Sequence, residues 1–364
     1  MGTIKRGFAN NILTTGKFDA TDLSGTIPST NVANSTLNSI TSVPASVGDF
    51  VQSVASDPSP VSAGDVWYNT TTGALKAGVF LADAWAAGGN LNTARVYLGS
   101  AIGGTQTVAL AFGGQTTART AVTEEYNGST WTNNPTGLNT ARAFISGAGT
   151  QTSGLAFGGT TDPGAAQTST EKYDGSTWTT SGNLSLARKS AGNAGTQTAG
   201  LCVSGQSPAS PPYTVTSEHF NGTSWTSGGN VGSARYLMGS CGTQTAGLIW
   251  GGTGGGPYLT SSEEYNGSSW TAGGTFPTAL GNMSGAGTQT AALSFGGYLT
   301  GITVKYDGTS WTNSPASLST SRYGLAGAGT QTAGLAFGGA NPSLTAATEE
   351  FTGAALTTKT VTTS

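Results

Sequence analysis

A Gly-Thr-Gln-Thr tetrad recurs six times in this chain, beginning at Gly104, Gly149, Gly195, Gly242, Gly287 and Gly329. The steps between copies are 45, 46, 47, 45 and 42 residues. A period this regular over most of 364 residues restricts the chain to a repeat architecture. Each unit is too small to bury its own apolar face and must pack it on a neighbour. The second copy shows the unit in full. Arg142 opens it, the tetrad follows, and Leu155-Ala156-Phe157-Gly158-Gly159 comes next. A variable stretch leads to Thr170-Glu171-Lys172-Tyr173-Asp174-Gly175-Ser176-Thr177-Trp178. These are four short runs bounded by turn formers. Gly, Thr and Ser are poor in helices, and the Asn-Gly or Asp-Gly pairs before most of the repeated Trp favour tight hairpins. Four strands per unit of this length predict a propeller blade.

The unit resembles a kelch repeat. An apolar run ends in Gly-Gly, a Tyr follows, a Trp comes about five residues on, and an Arg closes the pattern. Here these are Phe112-Gly113-Gly114, Tyr126, Trp131 and Arg142. The resemblance covers roughly residues 85–364. It implies an all-β fold, a six-bladed kelch-like β-propeller, with an extended N-terminal attachment segment before it. It implies little about activity, because propellers host many.

The two ends of the repeat are each defective. Phe80-Leu81-Ala82-Asp83-Ala84-Trp85 matches the spacing of Tyr126 to Trp131, as a stray fourth strand ahead of the first unit. In the last unit, Phe351-Thr352-Gly353-Ala354-Ala355-Leu356 has Leu356 where a Trp belongs. The expectation is that the Trp85 strand completes the last blade and closes the ring, removing exposed edges. The rival reading is a seventh, partial blade from residues 64–86. The expected division is residues 1–63 as an attachment and oligomerisation segment, 64–86 as a hairpin and ring-closing strand, and 87–364 as the propeller.

Residues 1–63 differ from the rest. They carry isolated apolar residues among Thr, Ser, Asn and Asp, and cannot bury a core alone. Thr3-Ile4-Lys5-Arg6-Gly7-Phe8-Ala9-Asn10-Asn11 and Leu23-Ser24-Gly25-Thr26-Ile27-Pro28 resemble N-terminal regions of bacteriophage virion proteins, tail-fibre-like proteins of marine phages in particular. Gly64-Asp65-Val66-Trp67-Tyr68-Asn69-Thr70-Thr71-Thr72-Gly73-Ala74-Leu75-Lys76 resembles a short hairpin common in such proteins. The resemblance implies a structural protein of the virion, made in the host cytoplasm. Its N-terminal segment would join other virion proteins and copies of itself, as a homo-oligomer with a trimer favoured.

Composition narrows the partners. Charged residues are 9% and the net charge is −3, so the clustered Lys and Arg of a nucleic-acid footprint are missing. No apolar run approaches the ~20 residues of a membrane helix, so no membrane insertion is expected. Nor does an apolar stretch of signal-peptide type follow Met1. Two Cys and one His, Cys202, Cys241 and His219, are too few for a zinc site, and His219 alone cannot supply a copper site. No metal or other cofactor is expected. Cys202 and Cys241 take the places of Ala156 and Ala148 of the second unit, which predicts two buried, reduced thiols.

One pair of positions varies together. Arg95, Arg142, Arg188, Arg235 and Arg322 occupy one, and Glu124, Glu171, Glu218, Glu263 and Glu349 the other. In the fifth unit both change at once, to Leu280 and Val304. Removing one partner of a buried pair costs about 3–5 kcal/mol, whereas replacing both can be neutral. The pattern predicts an ion pair inside each of five blades and an apolar contact in the other. A catalytic ring is the alternative, but fivefold repetition argues against it. The Tyr173 to Trp178 run is similar to the Asp-box of sialidases, with Asp and Gly adjacent where that box separates them. No unique pair of carboxylates marks a polysaccharide-degrading enzyme, and no enzyme activity is expected.

The Gly-Thr-Gln-Thr and Asn/Asp-Gly turns are nearly uniform, whereas the linkers after Gly-Gly vary in length and sequence. On one face of a repeat array such variation marks the binding side. The linkers offer Arg119, Asp162, Tyr213, Tyr258 and Tyr298 as candidate contacts for a host-surface glycan or protein. The expected function is a tail fibre or tail-associated adhesin. A capsid or tail decoration or connector protein binding other virion proteins is the alternative.

Overall fold

The computed structural model of the protein describes residues 52–208 and 211–361. Residues 1–51, which hold the first two phage-like motifs and most of the expected attachment segment, lie outside the described residues. Among those described, the chain is all-β, with seven four-stranded sheets and no helix. They fall into two compact units, Ala84–Gly353 and the residues flanking it on both sides.

Six sheets make up the larger unit. The first comprises Gly99–Ser100, Ala109–Phe112, Thr123–Tyr126 and Trp131–Asn134, hydrogen-bonded in chain order. The second comprises Ser146–Thr150, Ser153–Phe157, Thr170–Tyr173 and Trp178–Ser181. The third, fourth and fifth follow the same order over 192–227, 239–272 and 284–317. The sixth takes Ala326–Gly329, Ala333–Phe337 and Thr348–Thr352 from the last repeat and Ala84–Ala87 from ahead of the first, with Trp85 opposite Phe351. All six are antiparallel, an arrangement consistent with a blade-repeat β-propeller.

The core is divided among the gaps between sheets. Six clusters of buried side chains each join two consecutive sheets, and the sixth joins the last sheet to the first through Leu335, Phe337, Ala109, Tyr126 and Trp131. Close packing needs glycine at some inner-strand positions. A Cβ on Gly147 would stand 2.4 Å from the Phe112 ring of the preceding sheet.

Three hydrogen bonds repeat across these gaps, each reaching back to the preceding sheet. First, every tetrad Gln gives its side-chain NH2 to two backbone carbonyls. Gln151 bonds Ala109 and Tyr126 at 3.0 and 2.7 Å, and Gln106 bonds Gly334 and Phe351 of the last sheet at 3.1 and 2.7 Å. Second, in five of the six gaps the indole N–H of the fourth-strand Trp donates to a Thr or Ser hydroxyl, the exception being Trp270. Trp178 bonds Thr123 and Trp225 bonds Thr170, both at 2.9 Å, while Trp131 reaches Thr348 of the last sheet at 2.9 Å. Third, a Tyr hydroxyl donates to the preceding sheet's Glu. Tyr126 bonds Glu350 at 2.6 Å, Tyr173 bonds Glu125, and Tyr306 bonds Glu264 at 2.5 Å. Tyr265 pairs instead with His219, at 2.8 Å. Where the preceding sheet carries Lys172 or Lys305, the following residue is Phe220 or Phe351, which has no hydroxyl.

Inside the sheets the arginines and glutamates pair as one unit per sheet. Arg95–Glu124, Arg142–Glu171, Arg188–Glu218, Arg235–Glu263 and Arg322–Glu349 lie at 3.1, 2.7, 2.5, 2.7 and 2.8 Å. Each Arg also donates to two carbonyls around the Gly-Gly turn, as Arg142 does to Gly158 and Ser169. Each Glu accepts a backbone N–H from the segment ahead of its Arg, as Glu171 does from Asn139 at 2.6 Å. Burial pushes the Arg95 guanidinium down to about 10, against the pull of Glu124, so it stays charged at neutral pH. In the fifth sheet Leu280 and Val304 are buried in one apolar cluster. Cys202 and Cys241 are buried free thiols, and burial pushes Cys202 up to about 12.

The seventh sheet pairs Gln52–Val54 in parallel with Val66–Asn69, then Ala74–Leu81, then Ala355–Thr360. Residues 66–81 therefore form a hairpin, with Asn69 opposite Ala74. The expected boundaries move at both ends. The larger unit starts at Ala84 rather than 87 and ends at Gly353, so the chain's end leaves it. The physical reason is pairing: the fourth-strand position beside Thr348–Thr352 is taken by Ala84–Ala87, and Ala355–Thr360 pairs along Ala74–Leu81 instead. Asp57 ties the small sheet together, accepting from Trp67, Asn69 and Lys76 at 3.0, 2.7 and 2.7 Å. Lys76, with help from Asn69 and Trp67, holds its carboxyl down to about 2.

Candidate functional site

Alternation of strand direction sorts the loops of the larger unit by end. The tetrad turn joins first to second strands, and the Asn/Asp-Gly turn joins third to fourth, so both lie at one end of each sheet. The turns are held locally. Asp174 Oδ1 accepts the N–H groups of Ser176 and Thr177 at 2.9 and 2.8 Å, and Gly175 takes φ +96°. At the other end lie the variable linkers and the connections from each fourth strand to the next sheet.

Those connections carry a feature that the side chains conceal. The residue two beyond each Arg, or beyond Leu280, is Tyr97, Phe144, Ser190, Leu237, Asn282 or Gly324. All six residues have φ between 50° and 60°. Their backbones form a closed cycle. Phe144 N–H donates to Tyr97 C=O, Ser190 to Phe144, Leu237 to Ser190, Asn282 to Leu237, Gly324 to Asn282, and Tyr97 to Gly324, at 2.7–3.2 Å. A left-handed backbone is strained for all but glycine and Asn, by about 1–3 kcal/mol at a non-glycine position. The cycle therefore fixes the backbone while leaving six different side chains.

Just inside the cycle is a pocket of about 110 Å³, lined by residues of all six first strands. Its walls include Ser100, Ser146, Asn193, Ser240 and Ser284. Ile102 and Gly103 lie at the tetrad end. They are two residues that the other units lack. Ile102 lines the pocket and packs on the cluster shared by the fourth and fifth sheets, while Gly103 stands against Gly149 and Gly195. An insertion from the first sheet thus reaches the far wall.

Around the mouth stand half-buried aromatic rings. Tyr97 stacks on Phe144 with centroids 3.8 Å apart, and Tyr323 lies 6.2 Å from Tyr97 and 5.8 Å from Tyr298. Tyr213 stacks on Tyr236 at 5.1 Å. Burial, then the neighbouring Tyr323, Tyr258 and Tyr298 phenols, push the Tyr97 hydroxyl up to about 12, so it is a neutral hydrogen-bonding group at physiological pH. Lys189 Nζ sits 5.5 Å over the Phe144 ring.

Of the linker residues proposed from sequence, Tyr258 and Tyr298 join this cluster, and Tyr213 lies with Tyr236 at its margin. Tyr298 is 49% exposed. Arg119 and Asp162 form an ion pair with each other at 2.6 Å, bridging the linkers of the first and second sheets. Sequence reasoning missed Tyr97, Phe144, Tyr236, Asn282 and Tyr323. Part of the signal was available: the position two beyond the Arg, or beyond Leu280, which holds Tyr97, Phe144 and Asn282, carries a different residue type in every unit, while Tyr236 and Tyr323 stand one beyond their Arg. Among the described residues no three of His, Cys, Asp and Glu come together as a metal ion would need. No family model matches the chain, and no curated protein matches it.

Proposed function

We propose that this protein is a non-enzymatic virion protein of a tailed bacteriophage, a tail-fibre-like adhesin whose kelch-like propeller contacts the host surface. The larger unit is read as a closed six-bladed ring. The support for closure is that the last and first sheets share a core cluster of the same form as the other five and carry all three of the hydrogen bonds that recur between consecutive sheets. The observation that carries the functional reading is the division of labour between the two ends of the sheets. One end is built from near-identical turns clamped by Gln side chains, and the other presents dissimilar side chains on an identical backbone. A rigid frame with variable side chains on one face suits recognition without chemistry. The N-terminal motifs that resemble phage virion proteins supply the setting. Residues 1–63 would attach to other virion proteins and assemble copies, and several heads on one particle would add avidity.

The test is binding of the labelled full-length chain to intact host cells, with non-host cells as control. Saturable binding to host cells alone is expected. Absence of binding, even from a multivalent display, would move the assignment to a decoration or connector protein of capsid or tail, whose contacts would then be sought on the particle.

A further inference from the structure

We propose that the pocket enclosed by the six first strands is a carbohydrate site that takes one neutral pyranose ring, the end sugar of a surface glycan. The adhesin reading above gives this site its setting. The first ground is Asn282. It is 9% exposed, it lines the pocket, and its side-chain oxygen has no hydrogen-bond partner. A buried acceptor left unsatisfied costs about 1–3 kcal/mol, and a ligand hydroxyl would satisfy it. The fold does not require this amide, because Gly324 holds the equivalent place in the sixth unit at the same φ of 60°.

The second ground is the pairing of surfaces. Hydroxyls of Ser146 and Ser240 and the Asn193 amide line the walls, donating to Ala191 C=O, Asn193 Oδ1 and Gly147 C=O and keeping oxygen lone pairs that can accept from a ligand hydroxyl, while the stacked Tyr97 and Phe144 form the lip. A pyranose offers hydroxyls along its edge and C–H groups on its face, and matches both at once. The third ground is charge. The pocket lining contains no ionisable carboxylate, Lys or Arg, and the five repeat arginines are consumed in buried ion pairs. An ionised ligand would be desolvated there without a partner. Finally, Ile102 and Gly103 stop the tetrad end, so the pocket receives the end of a chain rather than threading it.

The probes are the methyl glycosides of glucose, galactose, mannose and N-acetylglucosamine, with glucuronic acid as a charged control. Binding to the full-length protein is read by saturation transfer in ligand-observed NMR. At least one neutral glycoside should bind at millimolar concentration and glucuronic acid should not. Asn282→Gly should weaken binding about tenfold or more without lowering the unfolding temperature, and Asn282→Asp should weaken it too. Failure of all four glycosides, or binding that neither variant changes, would overturn the site. Host-cell binding by a chain that takes none of the sugars would sink the pocket and leave the adhesin standing. Sugar binding sensitive to Asn282 without cell binding would do the reverse.

Discussion

His219 shows how a single side chain can be read from the company it keeps. In four of the six gaps a Tyr hydroxyl meets a hydrogen-bond partner on the preceding sheet, and in the gap before Tyr265 that partner is His219 rather than a Glu. Burial holds the His219 imidazole below its ordinary value. The unfolded chain therefore takes up the proton first as pH falls. This contribution to stability is complete above the unfolded value of about 6.5 and is lost progressively below it. The melting temperature should decline from about pH 6.5 downward, ahead of the carboxylates. His219→Glu, which copies Glu125, Glu264 and Glu350, should remove that early decline while keeping the bond to Tyr265. An unchanged profile in the variant would show that His219 is not its source.

At the scale of the element, the Arg–Glu pair makes the clearest prediction. Arg188→Leu alone strands Glu218 in a buried site and should cost about 3–5 kcal/mol in denaturant unfolding. Arg188→Leu with Glu218→Val reproduces the fifth sheet's Leu280 and Val304 and should recover most of that loss. A double variant as unstable as the single one would mean that the carbonyl bonds of Arg188, not the ion pair, dominate. This pair was legible in the sequence because both partners lie in one unit and change in the same unit. The Tyr–acceptor pair is written just as plainly, Lys172 before Phe220 and Lys305 before Phe351, but it runs between units. Comparing positions within a unit does not reveal it. The cycle at the pocket mouth was not legible, because what its six residues share is a backbone angle. Ala355–Thr360 was misplaced for another reason: strand propensity and position suited two partners, and the competition was decided by a strand some 270 residues earlier.

For the whole molecule, the sixth sheet is the place where the ends of the repeat meet. A chain of residues 84–353 should unfold in one cooperative transition. A chain of residues 88–353 lacks the strand opposite Thr348–Thr352 and leaves that edge bare. It should melt at lower temperature and aggregate, as light scattering during thermal unfolding would report. Equal melting temperatures would show that the stability of the larger unit does not depend on completing that sheet. The period, the strand count per unit and the borrowed strand were all readable from spacing, because a repeat multiplies each weak local signal. The pocket was not, because Ile102 and Gly103 look like a slip in the period until their neighbours are known.

Asp83 and Ala354 stand at the two points where the chain enters and leaves the larger unit, and the Ala354 N–H donates to the Asp83 carboxylate at 2.5 Å. The 270 residues of Ala84–Gly353 are thus a cassette spliced into a small sheet whose two flanking strands, Ala74–Leu81 and Ala355–Thr360, already pair with each other. Any domain whose own ends lie this close could be exchanged at the same junction without disturbing the sheet that holds it. A lineage could then exchange the larger unit by one recombination event and keep the small sheet unchanged.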